Sequence, residues 1–333
     1  MAIPLPDPAH VARFAGDLRA LADEGPLALA VSGGPDSLAL LLLAAAARPG
    51  AVTAATVDHG LRPQSKAEAA FVAQTCAGIG VPHAILEVEV RDGRGSLQAE
   101  ARAARYAALG AWLAGEGIGT LLTAHHADDQ AETLLMRLQR GAGVGGLAGV
   151  RACGPLPGSG GRLAVCRPLL GWRRAELAAV VAAAGLSPVD DPSNANTDFE
   201  RVRMRRRMAD ATWLDVPALA RSAAALAQAD AALDSVAAGM FAERARAAGD
   251  ARIALDASGV PDELLRRLVL RCLRAVAPDA APRGEQLTAL LATLARGETA
   301  TLAGVKCAGG ESWTFEPAPP RRAAPVAGAA RSR

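Results

Sequence analysis

Aromatic side chains are scarce in this chain, at 3% of 333 residues, which argues against an aromatic platform on which a run of nucleic-acid bases could stack. Lysine is nearly absent too, with only Lys66 and Lys306, so positive charge is carried by arginine. The accompanying excess of alanine and glycine marks a compositional bias of the whole chain, and arginine counts alone therefore carry little weight. Long apolar runs are also missing. The longest, residues 38–47, is about half of what a bilayer-crossing helix needs, and the first residues show no basic segment followed by an apolar one. No membrane association, no export signal and a cytoplasmic location are expected. Paired cysteines are absent as well. Cys76, Cys153, Cys166, Cys272 and Cys307 are odd in number, scattered and never in a Cys-x-x-Cys arrangement, so neither a disulfide framework nor a zinc ribbon is expected, and all five read as reduced packing thiols.

What is present is enough for a folded protein with a sizeable core: 51% hydrophobic residues, 21% charged, and a length that fits two domains of unequal size. The net charge of +2 would not mark a nucleic-acid binder, but five arginines fall between positions 201 and 207. From residue 26 onward, short apolar or β-branched runs (27–31, 52–57, 83–88, 120–124) alternate with helical stretches (37–47, 65–78, 96–113, 128–140). This is the pattern of an α/β fold, a doubly wound parallel sheet with helices on both faces.

Gly141 is placed to close the last of these helices and opens a glycine-rich stretch, 141–149, of a mobile or tightly turning kind. An edge strand at 163–169, a helix at 173–184 and a polar loop at 190–197 are expected next, with the first domain ending near Val216. Residues 217–248 read as a helical linker, either one long helix or a hairpin of two. A smaller α+β module follows at 249–317, with a strand at 252–255, helices at 261–276 and 283–296, and a hairpin turning at Gly309-Gly310. Trp313 and Phe315 beyond that turn read as core. Residues 318–333 are mostly Pro, Ala and Arg and read as a disordered tail.

The chemistry is concentrated at three places where strands meet helices. Ser32-Gly33-Gly34-Pro35-Asp36-Ser37 joins a buried strand to a helix. Two glycines let the backbone approach an anion, two hydroxyls can donate to it, and the first amides of the helix add partial positive charge. The Gly-Lys-Ser/Thr of a Walker loop is missing, which excludes that class. Asp36 would repel a phosphate unless a divalent cation lies between them, so a nucleotide bound with Mg2+ is predicted. Asp58 and His59 end the second strand, where a doubly wound fold places adenosine and ribose contacts. His125-His126-Ala127-Asp128-Asp129-Gln130-Ala131-Glu132-Thr133 follows the fourth strand, and the spacing turns His125, Asp129 and Glu132 toward one crevice. Such a group suits metal holding by Asp36 and Asp129 and proton handling, with Asp128 an equal rival to Asp129; a hydrolytic metal site is the alternative reading.

The Ser32–Ser37 string resembles the PP-loop of the N-type ATP pyrophosphatases, which cleave ATP between the α and β phosphates to adenylate a substrate. Within that class, residues 125–149 resemble the tRNA(Ile)-lysidine synthetases most closely. Further agreements are Glu100-Ala-Arg102-Ala-Ala-Arg105-Tyr106, Arg167-Pro168-Leu169-Leu170 and Asp191-Pro192-Ser193-Asn194. The likeness covers about two thirds of the chain. One departure stands out: the family's Arg-Asn pair reads Arg201-Val202 here.

The resemblance implies ATP as a substrate, Mg2+, free L-lysine, and a tRNA(Ile) bearing a CAU anticodon. Its wobble cytidine is adenylated at the C2 carbonyl oxygen and then attacked at C2 by the lysine side-chain amine. Catalysis is implied for Asp36, His125, Asp129 and Glu132, with Glu132 or Asp129 meeting the lysine ammonium. ATP contacts fall on residues 32–37, Asp58 and His59, and tRNA contacts on Arg102, Arg105, Arg201, Arg203 and Arg205. Oligomeric state is left open, a homodimer included. A tRNA thiolase of the same class is disfavoured by the missing Cys-x-x-Cys, and a small-molecule synthetase by the glycine and arginine stretches.

Overall fold

The computed structural model describes residues 3–60, 64–89, 97–189 and 196–319, and divides into two compact units, Met1–Ala227 and Gln228–Arg333. Residues 190–195 of the expected 190–197 loop, with the Asp191-Pro192-Ser193-Asn194 motif, and residues 320–333 of the expected 318–333 tail lie outside the described residues.

The first unit opens with α1 (Pro8–Arg19), for which the apolar pattern raises no expectation. Asp7 caps it, accepting from the Ala9 amide at 2.7 Å, and proline occupies its first turn. The anticipated alternation follows as β1 (Leu27–Ala30), α2 (Pro35–Ala47), β2 (Val52–Asp58), α3 (Ser65–Gly78), β3 (His83–Glu87), α4 (Leu97–Glu116), β4 (Thr120–Leu122) and α5 (Ala127–Leu138). Next come α6 (Val144–Leu147), β5 (Cys153–Pro155), β6 (Ala164–Cys166), α7 (Arg174–Ala183) and α8 (Glu200–Asp210).

The sheet runs β3-β2-β1-β4-β6-β5 and is parallel except for β5, which pairs antiparallel with β6. The strand expected at the edge, β6, is therefore interior. The true edge is the three-residue Cys-Gly-Pro strand, whose glycine and proline carry a turn signal and are tolerated where the ladder ends. Leu38, Leu40, Leu41 and Leu43 of α2 are fully buried among α1, α7 and the sheet, as a helix apolar all round must be. Tyr106, Leu109 and Leu113 of α4 cover the opposite face.

The β5–β6 register also corrects the reading of the cysteines. Cys153 and Cys166 stand directly opposite each other, with Cα atoms 4.2 Å apart, and their sulfurs are bonded. Spacing along the chain concealed a pair that only strand register brings together. Cys76, Cys272 and Cys307 are buried free thiols, each pushed up to about 12 by burial. Unreduced protein unfolded in denaturant should thus titrate three thiols of its five cysteines, and all five after reduction; five without reductant would contradict the pairing.

Residues 217–248, open to two readings, lie almost entirely in one continuous helix, α9 (Val216–Arg244), and the boundary between the units falls within it. The second unit continues with β7 (Ala245–Ala247), β8 (Ile253–Leu255), α10 (Asp262–Val276), α11 (Gly284–Ala295), β9 (Thr299–Leu302), β10 (Val305–Ala308) and β11 (Trp313–Pro317). Its sheet, β7-β8-β11-β10-β9, is antiparallel throughout. Gly309 is required at the β10–β11 turn, because a Cβ there would lie 2.1 Å from the Leu294 carbonyl oxygen. Trp313 and Phe315 are buried core residues, as expected. Among the described residues, no helix is long and apolar enough to cross a membrane.

Candidate active site

Strand order reverses at β1, which has β2 on one side and β4 on the other. Crevices of open α/β sheets form at such a switch point, beyond the carboxyl ends of the strands. The residues singled out in the sequence cluster around the exits of β1, β2 and β4.

After β1 the chain turns at Gly33, with φ of 83°, a left-handed conformation that glycine adopts without strain. A Cβ at Gly33 would also meet the Val189 side chain at 3.0 Å. Ser37 holds the turn closed: its Oγ accepts from the Ser32 amide at 3.2 Å and donates to the Gly34 carbonyl at 2.9 Å. Gly34 precedes the helix and Pro35 begins it, so Asp36 stands in the first turn of α2. One carboxyl oxygen of Asp36, Oδ1, is buried without a hydrogen-bond partner.

At the end of β2, Asp58 accepts from the Gly60 amide at 2.8 Å, and this bond, joined by Ser65, holds its carboxyl below the ordinary range. His59 has a buried Nδ1 with no partner, and burial together with Arg105 lowers its pKa, leaving a neutral ring. An unsatisfied ring nitrogen at a strand exit is a suitable contact for a nucleoside.

The third cluster contains a residue absent from the expected set. His126, 1% exposed, precedes α5 and lies between three carboxylates, its Nε2 3.3 Å from Asp36 and 3.6 Å from Asp129, its Nδ1 3.6 Å from Asp128. Burial works against its protonation, but the close carboxylate of Asp36 and the charge of Asp129 outweigh it and raise its pKa, although neither ring nitrogen makes a well-aligned hydrogen bond. The signal was available, since two histidines in sequence point to opposite sides of an extended segment and only one can face inward with Asp129.

His125 precedes the helix rather than lying on it, with Nδ1 3.0 Å from the Thr123 hydroxyl. Burial lowers its pKa to about 4, with Asp129 opposing and Arg167, Arg201 and Arg102 assisting. The folded ring stays neutral while an unfolded one is protonated below about 6.5. Its stabilisation is therefore complete above pH 6.5 and is lost as pH falls toward 4. From pH 7 to pH 5 the wild type should lose about 2 kcal/mol that His125→Gln does not lose. Urea unfolding at the two pH values checks this, and equal losses in both proteins would refute it.

Asp128 and Asp129 separate clearly. Asp128 is held by α7: it accepts from Arg173 Nε and Nη2, both at 3.2 Å, and from the Arg174 amide at 2.8 Å. Asp129 accepts from the His126 amide at 3.1 Å and lies on the Asp36 side of the His126 ring.

Glu132, 1% exposed, is enclosed by three arginines: Arg205 Nε at 2.8 Å, Arg201 Nε at 3.3 Å and Arg174 Nη2 at 3.7 Å. Arg201 also donates to the Thr133 hydroxyl at 3.0 Å. The α8 arginines thus divide. Arg201 and Arg205 turn toward Glu132, while Arg203 donates to the carbonyls of Thr197 and Asp198, each at 2.7 Å. Val202, where the resembled family has asparagine, is buried at 8% exposure, so an amide at this position would need partners inside the fold. Arg102 and Arg105 of α4 flank the Tyr106 ring, 5.0 and 5.3 Å from its centroid.

The glycine-rich stretch is tightly turned. α6 occupies its middle, Arg137 donates to the carbonyls of Gly146 and Gly149 at 2.7 and 3.0 Å, and Gln130 exchanges two hydrogen bonds with Val150. Gly149 has φ of 62°, and a Cβ there would lie 2.3 Å from the Gln130 amide oxygen.

Among the described residues, no group of three or more His, Cys, Asp or Glu is arranged to hold a metal unaided. Mg2+ commonly takes one or two carboxylates, with phosphate and water completing its shell. Asp36 and Asp129, both facing His126 Nε2, and the unpartnered Asp36 Oδ1 fit that requirement.

Residues 9–212 match the PP-loop domain family. A tRNA(Ile)-lysidine synthase of Novosphingobium aromaticivorans is 48% identical over 318 residues, covering 93% of this chain and 94% of the relative. A second, from Zymomonas mobilis, is 44% identical over 300 residues, covering 90% and 91%. Among solved structures, a U34-tRNA thiolase from Methanococcus maripaludis shares the fold with a TM-score of 0.52 at 16% identity, covering 66% of this chain and 76% of that one. With its PP-loop at the switch point and these relatives matched over nearly their whole length, the chain belongs to the tRNA(Ile)-lysidine synthase family of ATP-using PP-loop enzymes.

Proposed function

We propose that this protein joins free lysine to C2 of the wobble cytidine in the CAU anticodon of tRNA(Ile), consuming ATP and releasing AMP and pyrophosphate. The observation that carries the reading is the convergence of Asp36 and Asp129 on one buried histidine, beside a glycine turn and the first amides of α2. The turn at 32–37 receives the ATP phosphates, and His59 and Asp58 border the nucleoside. Asp36 and Asp129 would hold Mg2+, which when bound offsets negative charge on the triphosphate.

The cytidine C2 oxygen is a poor leaving group until it is joined to the α-phosphate. Donors placed beforehand around the phosphates stabilise that charge shift without reorganising, and Arg201 and Arg205, kept in place by Glu132, lie on the same side of α5 as Asp129. Lysine arrives as an ammonium ion. Asp129 gives it an acidic partner and takes the proton the nitrogen must lose before its lone pair attacks C2 and the C2–O bond breaks to release AMP, whereas the neutral, weakly basic His125 contributes a hydrogen bond instead of a charge. Glu132 acts through the arginines it holds. Arg102, Arg105 and Arg203 are assigned to the tRNA phosphates, and a cytoplasmic location belongs to the same reading.

The test is incorporation of labelled lysine into a CAU tRNA(Ile) transcript, with ATP and Mg2+, beside the methionine tRNA that shares the anticodon. Label in the isoleucine tRNA alone is expected. Pyrophosphate release without lysine transfer would retain the PP-loop chemistry and defeat this substrate assignment.

A further inference from the structure

Four tryptophans occur in the chain, and one is out of place. Trp172 and Trp313 are buried and Trp112 is half-buried, but Trp213 is 82% exposed. A single exposed apolar residue needs no explanation by itself. The setting of Trp213 is what gives it meaning.

It sits in the turn joining α8 to α9, and the turn is internally bonded: Ala211 donates to Met208, Thr212 to Asp210 and Leu214 to Ala211 through their backbones, at 3.3, 3.2 and 3.0 Å. Asp215 then accepts from the Ala218 amide at 3.1 Å. The indole is thus carried on defined backbone. Immediately before it, α8 turns Val202 and Met204 inward and leaves Arg203, Arg206 and Arg207 exposed. Arginines outnumber carboxylates between residues 200 and 215, five to three. Glu200 pairs with Arg140 and Asp215 with Arg221, each adding an arginine to the same region, and Asp210 is the remaining carboxylate of the segment.

Guanidinium groups on the helix that leads into an open indole match a ligand with phosphates and an exposed π-face. An unpaired nucleotide of RNA has both, whereas a purely apolar partner would gain nothing from the arginines. We infer that Trp213 stacks on an unpaired base of the bound tRNA while the exposed α8 arginines engage the neighbouring phosphates. This rests on the tRNA reading above and assigns one anchoring side chain, not an aromatic platform. Being exposed, Trp213 can be replaced without disturbing the core.

The full chain is assayed with the CAU tRNA(Ile) transcript as wild type, Trp213→Ala and Trp213→Phe. Trp213→Ala should raise the KM for tRNA roughly tenfold, with the KM for ATP unmoved, and Trp213→Phe should recover part of the loss because a ring remains. Addition of transcript should quench tryptophan emission in the wild type, and this component should vanish in Trp213→Phe. An active wild type whose Trp213→Ala form has the same KM for tRNA would overturn the stacking and leave the lysine reaction intact. So would a dimer that Trp213→Ala dissociates, which would make this surface a contact between copies. A wild type that neither binds transcript nor transfers lysine would defeat the tRNA(Ile) reading, and the stacking with it.

Discussion

Replacing Asp36 by alanine should lower lysine transfer at least about a thousandfold while leaving the fold intact. The first turn of α2 is a place where amides and helix dipole favour an anion, so a carboxylate there repels phosphate unless a cation joins the two. Asp36 is partly exposed, makes its closest charged contact with His126, and leaves Oδ1 unpartnered. A buried oxygen without a partner is a cost that a bound cation recovers. Asp36→Asn keeps the shape and loses the charge, and should fail almost as badly. ATP–pyrophosphate kinetics and circular dichroism on the same samples check both halves. A variant with near-normal turnover would remove Asp36 from the reaction.

The second large effect concerns stability rather than rate. Glu132 is a buried carboxylate facing three guanidiniums, and its removal leaves those charges facing one another. Losing one partner of a fully buried ion pair costs about 3–5 kcal/mol. The three arginine side chains are 33–46% exposed, so solvent screens part of that, and about 2–3 kcal/mol is the expected cost of Glu132→Ala. Urea unfolding of the ligand-free protein measures it. Activity should fall as well, through misplaced Arg201 and Arg205. Unchanged stability with a raised KM for lysine would instead make Glu132 the direct partner of the substrate ammonium.

Much of this was legible in the sequence, and the reasons differ from element to element. The strands β1 to β4 are runs bounded by glycine or by helix starts, and the 32–37 string has few uses other than holding phosphate. What the sequence left hidden depended on register or on distant partners. The Cys153–Cys166 bond follows from an antiparallel pairing that no spacing encodes. The different surroundings of Asp128 and Asp129 come from Arg173, which is 45 positions away from Asp128. Glu132 has the type and position of a catalytic carboxylate, yet its surroundings are set by α8, more than 65 residues further along. His126 was overlooked because adjacent histidines are indistinguishable by type, and only the entry angle of α5 decides which ring turns inward.

The identity of the product is read by nucleoside analysis of the tRNA. CAU tRNA(Ile) incubated with enzyme, ATP, Mg2+ and lysine is digested to nucleosides and examined by mass spectrometry. The wobble cytidine should disappear and be replaced by a nucleoside heavier by one lysine less one water, dependent on Asp36. An unmodified wobble cytidine, or one carrying sulfur in place of lysine, would contradict it.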